Sequence, residues 1–527
     1  MVQILRRVRA GFVSILVLAA APAADGPRFY PDDPISRVPK PAPVKQVATY
    51  EPDDLFDFGY QSVRPKSTAP SPAKGVNTLG EVPDSAWYTN RHATRRMSLE
   101  DLRRGPCVEP PPQAPFVVVG AKTDGITPGF RMTDARGRLF FVKPDPRSNP
   151  EMATAADAIG SRFFYALGYN TPENFIVNLR AEDLSVSPKA KVTGISGKPR
   201  LMTRHDVDLV LLRVPRRPDG SLRIVASLAV EGSPVGPFRY DARRSDDPND
   251  LVPHQDRRDL RGLRVFAAWL NHTDAKGHNS LDAIVERDGI RFVRHYLIDF
   301  GSILGSDSDM PKDARFGHEY IVPNTSQLFS HMGRLGLAPD PWESAKYPHD
   351  NAVGRFESAI FNPLEWKPNY PNPAFDRMLP DDAYWAAKIV MTFTDDDIRA
   401  IVEAGEYSSR ESVDYIVKTL AVRRDKIGRA YFEQVLPLDN FRFENGALRF
   451  DDLPEKYHFA PSRQFDISWF DFDNQANALA PAASLDAIRT PFGAARIMEK
   501  GKPAKLVTVF FRRSNTPYAV VGIERTW

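Results

Sequence analysis

The spacing of apolar positions changes several times along the chain, and each change predicts an element. Val117–Val119 and Leu139–Val142 are short β-branched or aromatic runs bounded by turn residues, which predicts strands, with Met132–Gly137 as a hairpin connection. Met152, Ala155, Ala156, Ile159, Phe163 and Leu167 then recur at helical spacing, and Gly168 predicts the end of that helix. Phe175–Val177 returns to strand, and strand-like pieces continue through VDLVLLRVP and SLRIVASLAVEG to about Gly232. Leu260, Leu263, Phe266 and Leu270, with Trp269 alongside, predict an amphipathic helix from about Arg258 to Asn271. From Pro311 the pattern is helical with loops, strongest in DDAYWAAKIVMTF, TDDDIRAIVEAG and RESVDYIVKTLAVRRDKIGRAYFEQV, and Thr394 with Asp397 marks a helix start. Near the end, FRFENGALRF reads as strand–turn–strand about Asn445-Gly446, and LVTVFFRRSNTPYAVVGIERTW reads as another strand pair.

These periods divide the chain into five parts. Residues 1–23 form a leader. Residues 24–115 are extended and proline-rich, as in PDDPISRVPKPAPVK, STAPSPAKG and EPPPQAP. That composition suits a linker, but Trp87 and Tyr88 within it predict a strap anchored over a folded body by its aromatics. Residues 116–235 are β-rich with one helix, 236–438 are helical, and 439–527 form a small β module. The expected class is α+β.

Composition narrows the choice. With 42% apolar residues in 527, the chain can bury a large core. Lys+Arg at 70 against Asp+Glu at 67 leaves only +3, which argues against a nucleic-acid partner. Cys107 stands alone, so an intramolecular disulfide and a cysteine-built zinc site are both excluded. Arg6, Arg7 and Arg9 precede an apolar run from Gly11 to Ala20 and then Ala21-Pro22-Ala23, the parts of a secretory signal peptide. The run is about half of the roughly 20 residues a membrane span needs; an uncleaved N-terminal anchor is the alternative. No lipobox cysteine follows, and Arg6-Arg7 hints at twin-arginine export. The expected location is periplasmic or secreted, with no stable membrane span after cleavage.

One stretch carries candidate chemistry. In LNHTDAKGHNSLDAIVERDGIRFVRHYLIDFGSILG, Asp274 is followed five residues later by Asn279, and Asp299 stands between an apolar strand ending and Phe300-Gly301. A D-x-x-x-x-N interval and a strand-end Asp-Phe-Gly are what phosphoryl transfer asks for, a proton acceptor and hard-oxygen ligands for Mg²⁺. Lys143 ends the run LFFVK, where a strand would aim its ammonium into a cleft, and Glu151 opens the next helix as its ion-pair partner; Asp157 is the substitute if Glu151 points away. Gly120, Lys122, Thr123, Gly125 and Gly129 offer backbone donors for phosphates, although they match neither the dinucleotide fingerprint nor the P-loop, and hairpin turns account for them equally well. A rival reading gathers His272, Asp274, His278 and His295 around zinc for hydrolysis.

These motifs resemble those of the HipA-like kinases. LFFVKPDPRSNPEMATAADAIGSRFFYALGYNTPE resembles their Lys, Asn-x-Glu, helix and Gly-x-x-x-Pro passage, and VFAAWLNHTDAKGHNSL their Asn-Thr-Asp-x-x-x-x-Asn loop; secretory-pathway atypical kinases and the CotH spore-coat kinases share the same logic. The resemblance spans roughly Phe116 to Gly305. It implies a two-lobed protein-kinase-like body with a β-rich N-lobe and a helical C-lobe. It also implies Lys143 and Glu151 at the ATP phosphates, Asp274 as the catalytic Asp, and Asn279 and Asp299 on Mg²⁺. The function so implied is an exported atypical kinase acting with ATP and Mg²⁺ on a hydroxyl of an unidentified protein or glycan. The alternatives are an inactive kinase-like scaffold of the cell envelope, or transfer of AMP or a glutamyl group.

Overall fold

In the computed structural model the described residues are 26–51, 54–64, 71–121, 129–193, 198–323, 340–513 and 518–527. The leader over 1–23 and the predicted phosphate-loop residues Lys122, Thr123 and Gly125 lie outside them.

The largest sheet has seven strands, β1 (Phe116–Ala121), β2 (Phe130–Thr133), β3 (Leu139–Pro144), β4 (Asn174–Leu179), β5 (Leu184–Thr193), β6 (Pro199–Leu201) and β7 (Leu222–Leu228), in the order β4-β7-β3-β2-β1-β5-β6. The β2–β3 hairpin closes over Asp134, whose carboxylate accepts the N–H groups of Arg136 and Arg138, while the Gly137 N–H donates to the Asp134 carbonyl at 2.8 Å. Alternation then decides which face each residue serves. Val118, Met132, Phe140, Val142, Ile224 and Ala226 share one apolar core with Val207 and Leu211 of helix α4 (Arg204–Leu211). Lys143, next to Val142 in β3, therefore faces the other way, toward helix α3 (Met152–Ala166).

Helix α3 is buried almost all round, from Met152 to Ala166, because it lies between this sheet and the helical part of the chain. The expectation of one helix in residues 116–235 is corrected to two α-helices among the described residues. Residues 207–211, the first part of VDLVLLRVP that was read as strand, belong to helix α4 because Thr203 and Asp206 form a capping box and place Val207 and Leu211 on one face.

Helix α5 (Arg258–Leu270) ends at Asn271, held left-handed at φ +55°, and packs against the helices Pro380–Val390 and Arg410–Phe432. β8 (Ser233–Gly236), which precedes α5, joins β9 (Ser280–Arg287) and β10 (Ile290–Leu297), which follow it, in a three-stranded sheet of order β10-β9-β8. Of its β9–β10 hairpin, only the end of β10 before Asp299 matches an expected strand, and β9 matches none. Among the described residues, the helix expected from Pro311 begins with Pro373–Asp376 and Pro380–Val390, and 311–323 and 340–372 hold turns and one short 3-10 segment, Pro341–Ser344. Beyond Leu438, the hairpin β11 (Leu438–Glu444)–β12 (Ala447–Asp452) precedes an antiparallel five-stranded sheet built from β13 (Phe465–Asp473), β14 (Ala478–Ala482), β15 (Phe492–Glu499), β16 (Lys502–Arg512) and β17 (Ala519–Arg525).

The proline-rich segment is pinned to these units. The Phe29 ring packs among Phe472, Phe492 and Phe510 of the C-terminal sheet, and its N–H and carbonyl both bond the Asn474 side chain. Trp87 stacks on His295 of β10 at 3.5 Å between centroids, with the Arg257 guanidinium 4.4 Å from its ring and Phe238 edge-on. Replacing a buried Trp by Ala typically costs about 3–5 kcal/mol. Trp87→Ala should lower the urea midpoint accordingly, whereas a truncation of an exposed residue such as Val108 should leave it in place.

Candidate functional site

The site is assembled around the Lys143 ammonium. Two residues beyond it, Asp145 caps helix α3: the Thr154 N–H and hydroxyl donate to its two carboxylate oxygens at 2.8 and 2.7 Å, and Arg223 donates to the Thr154 hydroxyl at 2.7 Å. This fixes the start of α3 against the end of β3. Asp157, in the second turn of that helix, then stands 3.2 Å from Lys143 Nζ, and Lys143 also donates to Asp299 Oδ1 at 2.6 Å. The other oxygen of Asp157 accepts the Phe300 N–H at 2.8 Å. Burial works against the Lys143 charge, but Asp157 and Asp299 outweigh it and hold the ammonium well above the ordinary lysine range.

The Asp299 turn is shaped by close packing. Asp299 sits in the left-handed region at φ +60°, a costly conformation for a non-glycine residue and one typical of functional sites. A Cβ at Gly160 of α3 would fall 2.4 Å from the Phe300 Cβ, so only glycine lets the turn approach the helix this closely. Phe300 is fully buried, stacked on Phe164 at 5.1 Å and tilted toward His272 at 6.2 Å.

The second half of the site follows α5. Arg423 donates to the Ala268, Trp269 and Glu357 carbonyls, which satisfies the helix end and fixes where the loop departs. Within that loop, Asn279 Nδ2 donates to the Asp274 carbonyl at 2.7 Å and to Asp274 Oδ2 at 2.9 Å. The β9–β10 hairpin then leaves and returns: Ser280 pairs with Leu297, and the Ile298 N–H donates to the Asn279 carbonyl at 3.0 Å. Its register brings Asn279 and Asp299, twenty residues apart, to one end of one hairpin.

Burial pushes the Asp274 carboxyl up; Lys276, 3.4 Å away, Asn279 and Lys312 oppose this, and Asp299 adds to it. A carboxylate pushed up partly by a second one, beside an amide whose nitrogen is committed and whose oxygen is left as a ligand atom, fits a hard divalent cation. Among the described residues no three His, Cys, Asp or Glu side chains form a metal cluster on their own. An ion here would therefore complete its shell from water and phosphate oxygens, as Mg²⁺ commonly does.

Two expectations are corrected by this geometry. Glu151 does not pair with Lys143: left-handed at φ +71°, it turns outward, where its carboxylate accepts the Ser408 N–H and hydroxyl at 2.8 and 3.0 Å. Asp157 takes the place at the lysine. Gly120 does not present a phosphate-binding turn, because it lies within β1 beside a bulge, and the Arg131 guanidinium fills the space its missing side chain leaves, 2.7 Å from an added Cβ. The zinc alternative also fails. His272 is enclosed, and burial with Lys312 nearby pushes it down to about 3; His295 is bonded to Asp282 at 2.7 Å under Trp87. Lys276 and Lys312 were missed. Lys276 could have been noticed from its place two residues after Asp274, whereas nothing local marks Lys312.

The chain matches no protein-family model and no curated protein sequence. Among solved structures it is similar to the Helicobacter pylori proinflammatory kinase CtkA, at 11% identity over 58% of this chain and 94% of that one, with a TM-score of 0.30. It is also similar to the Golgi casein kinase, at 10% identity over 64% of this chain and 75% of that one, TM-score 0.29. The same kinase with Mn/ADP bound aligns at 11% identity over 56% and 75%, TM-score 0.23.

His272 generates a pH prediction. Its folded pKa lies near 3 and an unfolded histidine titrates near 6.5, so between these values the unfolded chain binds a proton the folded chain does not. Stability is then full above about pH 6.5 and falls as pH drops toward 3, at up to about 1.4 kcal/mol per pH unit for this group. Urea unfolding at pH 7, 5.5 and 4.5 should show that slope, and His272→Phe should flatten it.

Proposed function

We propose that this chain is an exported, two-lobed kinase-type phosphotransferase that moves phosphate from ATP–Mg²⁺ to a hydroxyl of a protein or glycan. The observation that carries the proposal is the meeting of Lys143 from β3, Asp157 from α3 and Asp299 from the turn after β10, with the Asp274–Asn279 pair at the same open end of the β9–β10 hairpin. Export rests on the basic and apolar leader pattern of residues 1–23. No helix among the described residues is long and apolar enough to cross a membrane. The HipA-like pattern of Phe116–Gly305 supports the two-lobed arrangement, with the seven-stranded sheet and α3 as one lobe and the helical part as the other.

Each side chain then has a task. Lys143, kept charged by its two carboxylates, binds phosphate oxygens, and Asp157 holds it in place through the fixed α3 terminus. Asp299 and Asn279 would hold Mg²⁺, which supplies charge neutralisation at the phosphates. The acceptor hydroxyl oxygen forms its bond to the terminal phosphorus as the bond to the ADP oxygen breaks, and the hydroxyl proton passes to Asp274. A carboxyl pushed up by burial suits that last step, since it holds a proton better than an exposed one. Positioning and charge neutralisation are most of what such a reaction needs from a protein.

Calorimetry and mass spectrometry separate the alternatives. Wild-type protein should bind ATP with Mg²⁺, and Asp299→Ala and Lys143→Met should each weaken that binding at least tenfold. Asp274→Asn should leave nucleotide affinity within about threefold and reduce transfer by about 10²–10⁴, the usual worth of a general base. A product mass increase of one phosphate supports the reading; AMP or glutamyl adducts redirect it. Wild-type protein that binds no nucleotide overturns it in favour of an envelope scaffold.

A further inference from the structure

Lys312 is a buried cation that the steps above do not use. It is fully enclosed, at 0% exposure, and burial depresses its basicity. Its ammonium donates to the Thr273 hydroxyl at 2.7 Å and to the Ser302 carbonyl at 3.2 Å, with Asp307 at 3.8 Å. Thr273 adjoins Asp274, and Ser302 closes the turn that Asp299 opens. One side chain thus joins the two loops that carry the proposed base and the proposed metal ligand.

The backbone that delivers it is held tightly. The Lys312 N–H donates to the Gly305 carbonyl at 2.8 Å, Ser306 bridges Pro311, and the Arg355 N–H donates to the same Gly305 carbonyl at 3.0 Å. Gly305 and Gly354 meet so closely that a Cβ on Gly354 would lie 2.1 Å from the Gly305 oxygen. A charge taken out of water is costly unless its partners replace the water, and here the partners are the two site loops.

Resting on the phosphotransfer reading, we infer that Lys312 is a positioning residue for the acceptor side of the reaction. It acts through Thr273, setting where the Asp274 carboxylate stands relative to the Asp299 turn. Nucleotide binding, which uses Lys143 and Asp299, does not depend on it.

The experiment compares Lys312→Met, Thr273→Val, Thr273→Ser and the Lys312→Met/Thr273→Val double variant, using full-length protein. ADP release from ATP–Mg²⁺, nucleotide affinity by calorimetry and amide hydrogen exchange are measured for each. Lys312→Met and Thr273→Val should each lower kcat at least thirtyfold with the ATP–Mg²⁺ affinity within threefold. Thr273→Ser, which keeps the hydroxyl, should restore most of the turnover, and the double variant should be no worse than either single change. Without nucleotide, exchange at residues 271–276 should quicken in Lys312→Met and Thr273→Val alone. If Lys312→Met does not fold, the Thr273→Val and Thr273→Ser pair decides. Wild-type kcat in Thr273→Val, multiplicative losses in the double variant, kcat and affinity falling together, or unchanged exchange would each overturn the inference while leaving the phosphotransfer reading intact. Wild-type protein that neither binds nor turns over ATP–Mg²⁺ removes both.

Discussion

One ammonium between two carboxylates organises this protein. Lys143, Asp157 and Asp299 come from a strand, a helix and a turn, and the buried charges of Lys143 and Asp157 are partnered by each other, with Asp299 as the second partner of the ammonium. A buried charge without a partner is strongly destabilising, so the elements that deliver these groups must hold a fixed relation. Strand parity turns Lys143 away from the sheet core and toward α3. The Asp145 cap sets the start of α3, hence the height of Asp157. The Phe300 amide, donating to Asp157, sets the turn that carries Asp299.

The strain in the site is located where this relation would otherwise fail. Asp299 is forced left-handed, and Gly160 is present because Phe300 occupies the space a side chain would need. On the far side, Arg423 fixes the end of α5 and Lys312 ties the following loop to the Asp299 turn. The loops that bear the candidate chemistry are therefore short spans between rigid elements, and their carboxylates are held at defined separations. Such preorganisation is what electrostatic catalysis depends on.

The proline-rich segment contributes differently. Its aromatic side chains enter pockets on separate units, Phe29 in the C-terminal sheet and Trp87 on the β9–β10 hairpin, so this segment binds them together; it is not extended throughout as expected, since Asp54–Val63 and Leu99–Arg104 are helical. Because Trp87 stacks on His295, it also braces the hairpin whose open end holds Asn279 and Asp299.

By itself the sequence determined the α+β class, the β-rich then helical order, the strands at Val117–Val119 and Leu139–Val142, helices α3 and α5 nearly to their ends, and the types of residue at Lys143, Asp157, Asp274, Asn279 and Asp299, whereas β2, which takes Met132 and Thr133 from the expected hairpin connection, was not read. Periodicity and local spacing carry that information because side-chain direction repeats every two residues in a strand and every 3.6 in a helix. The tertiary structure decided the rest. Glu151 and Asp157 were both within reach of Lys143 by sequence, and only the left-handed backbone at Glu151 and the packing of α3 selected Asp157. VDLVLLRVP was ambiguous because a short apolar run fits strand and helix alike until a partner face chooses between them. Lys312 was invisible, since a lysine in a loop is ordinarily solvated and its role arises only from two distant loops closing over it.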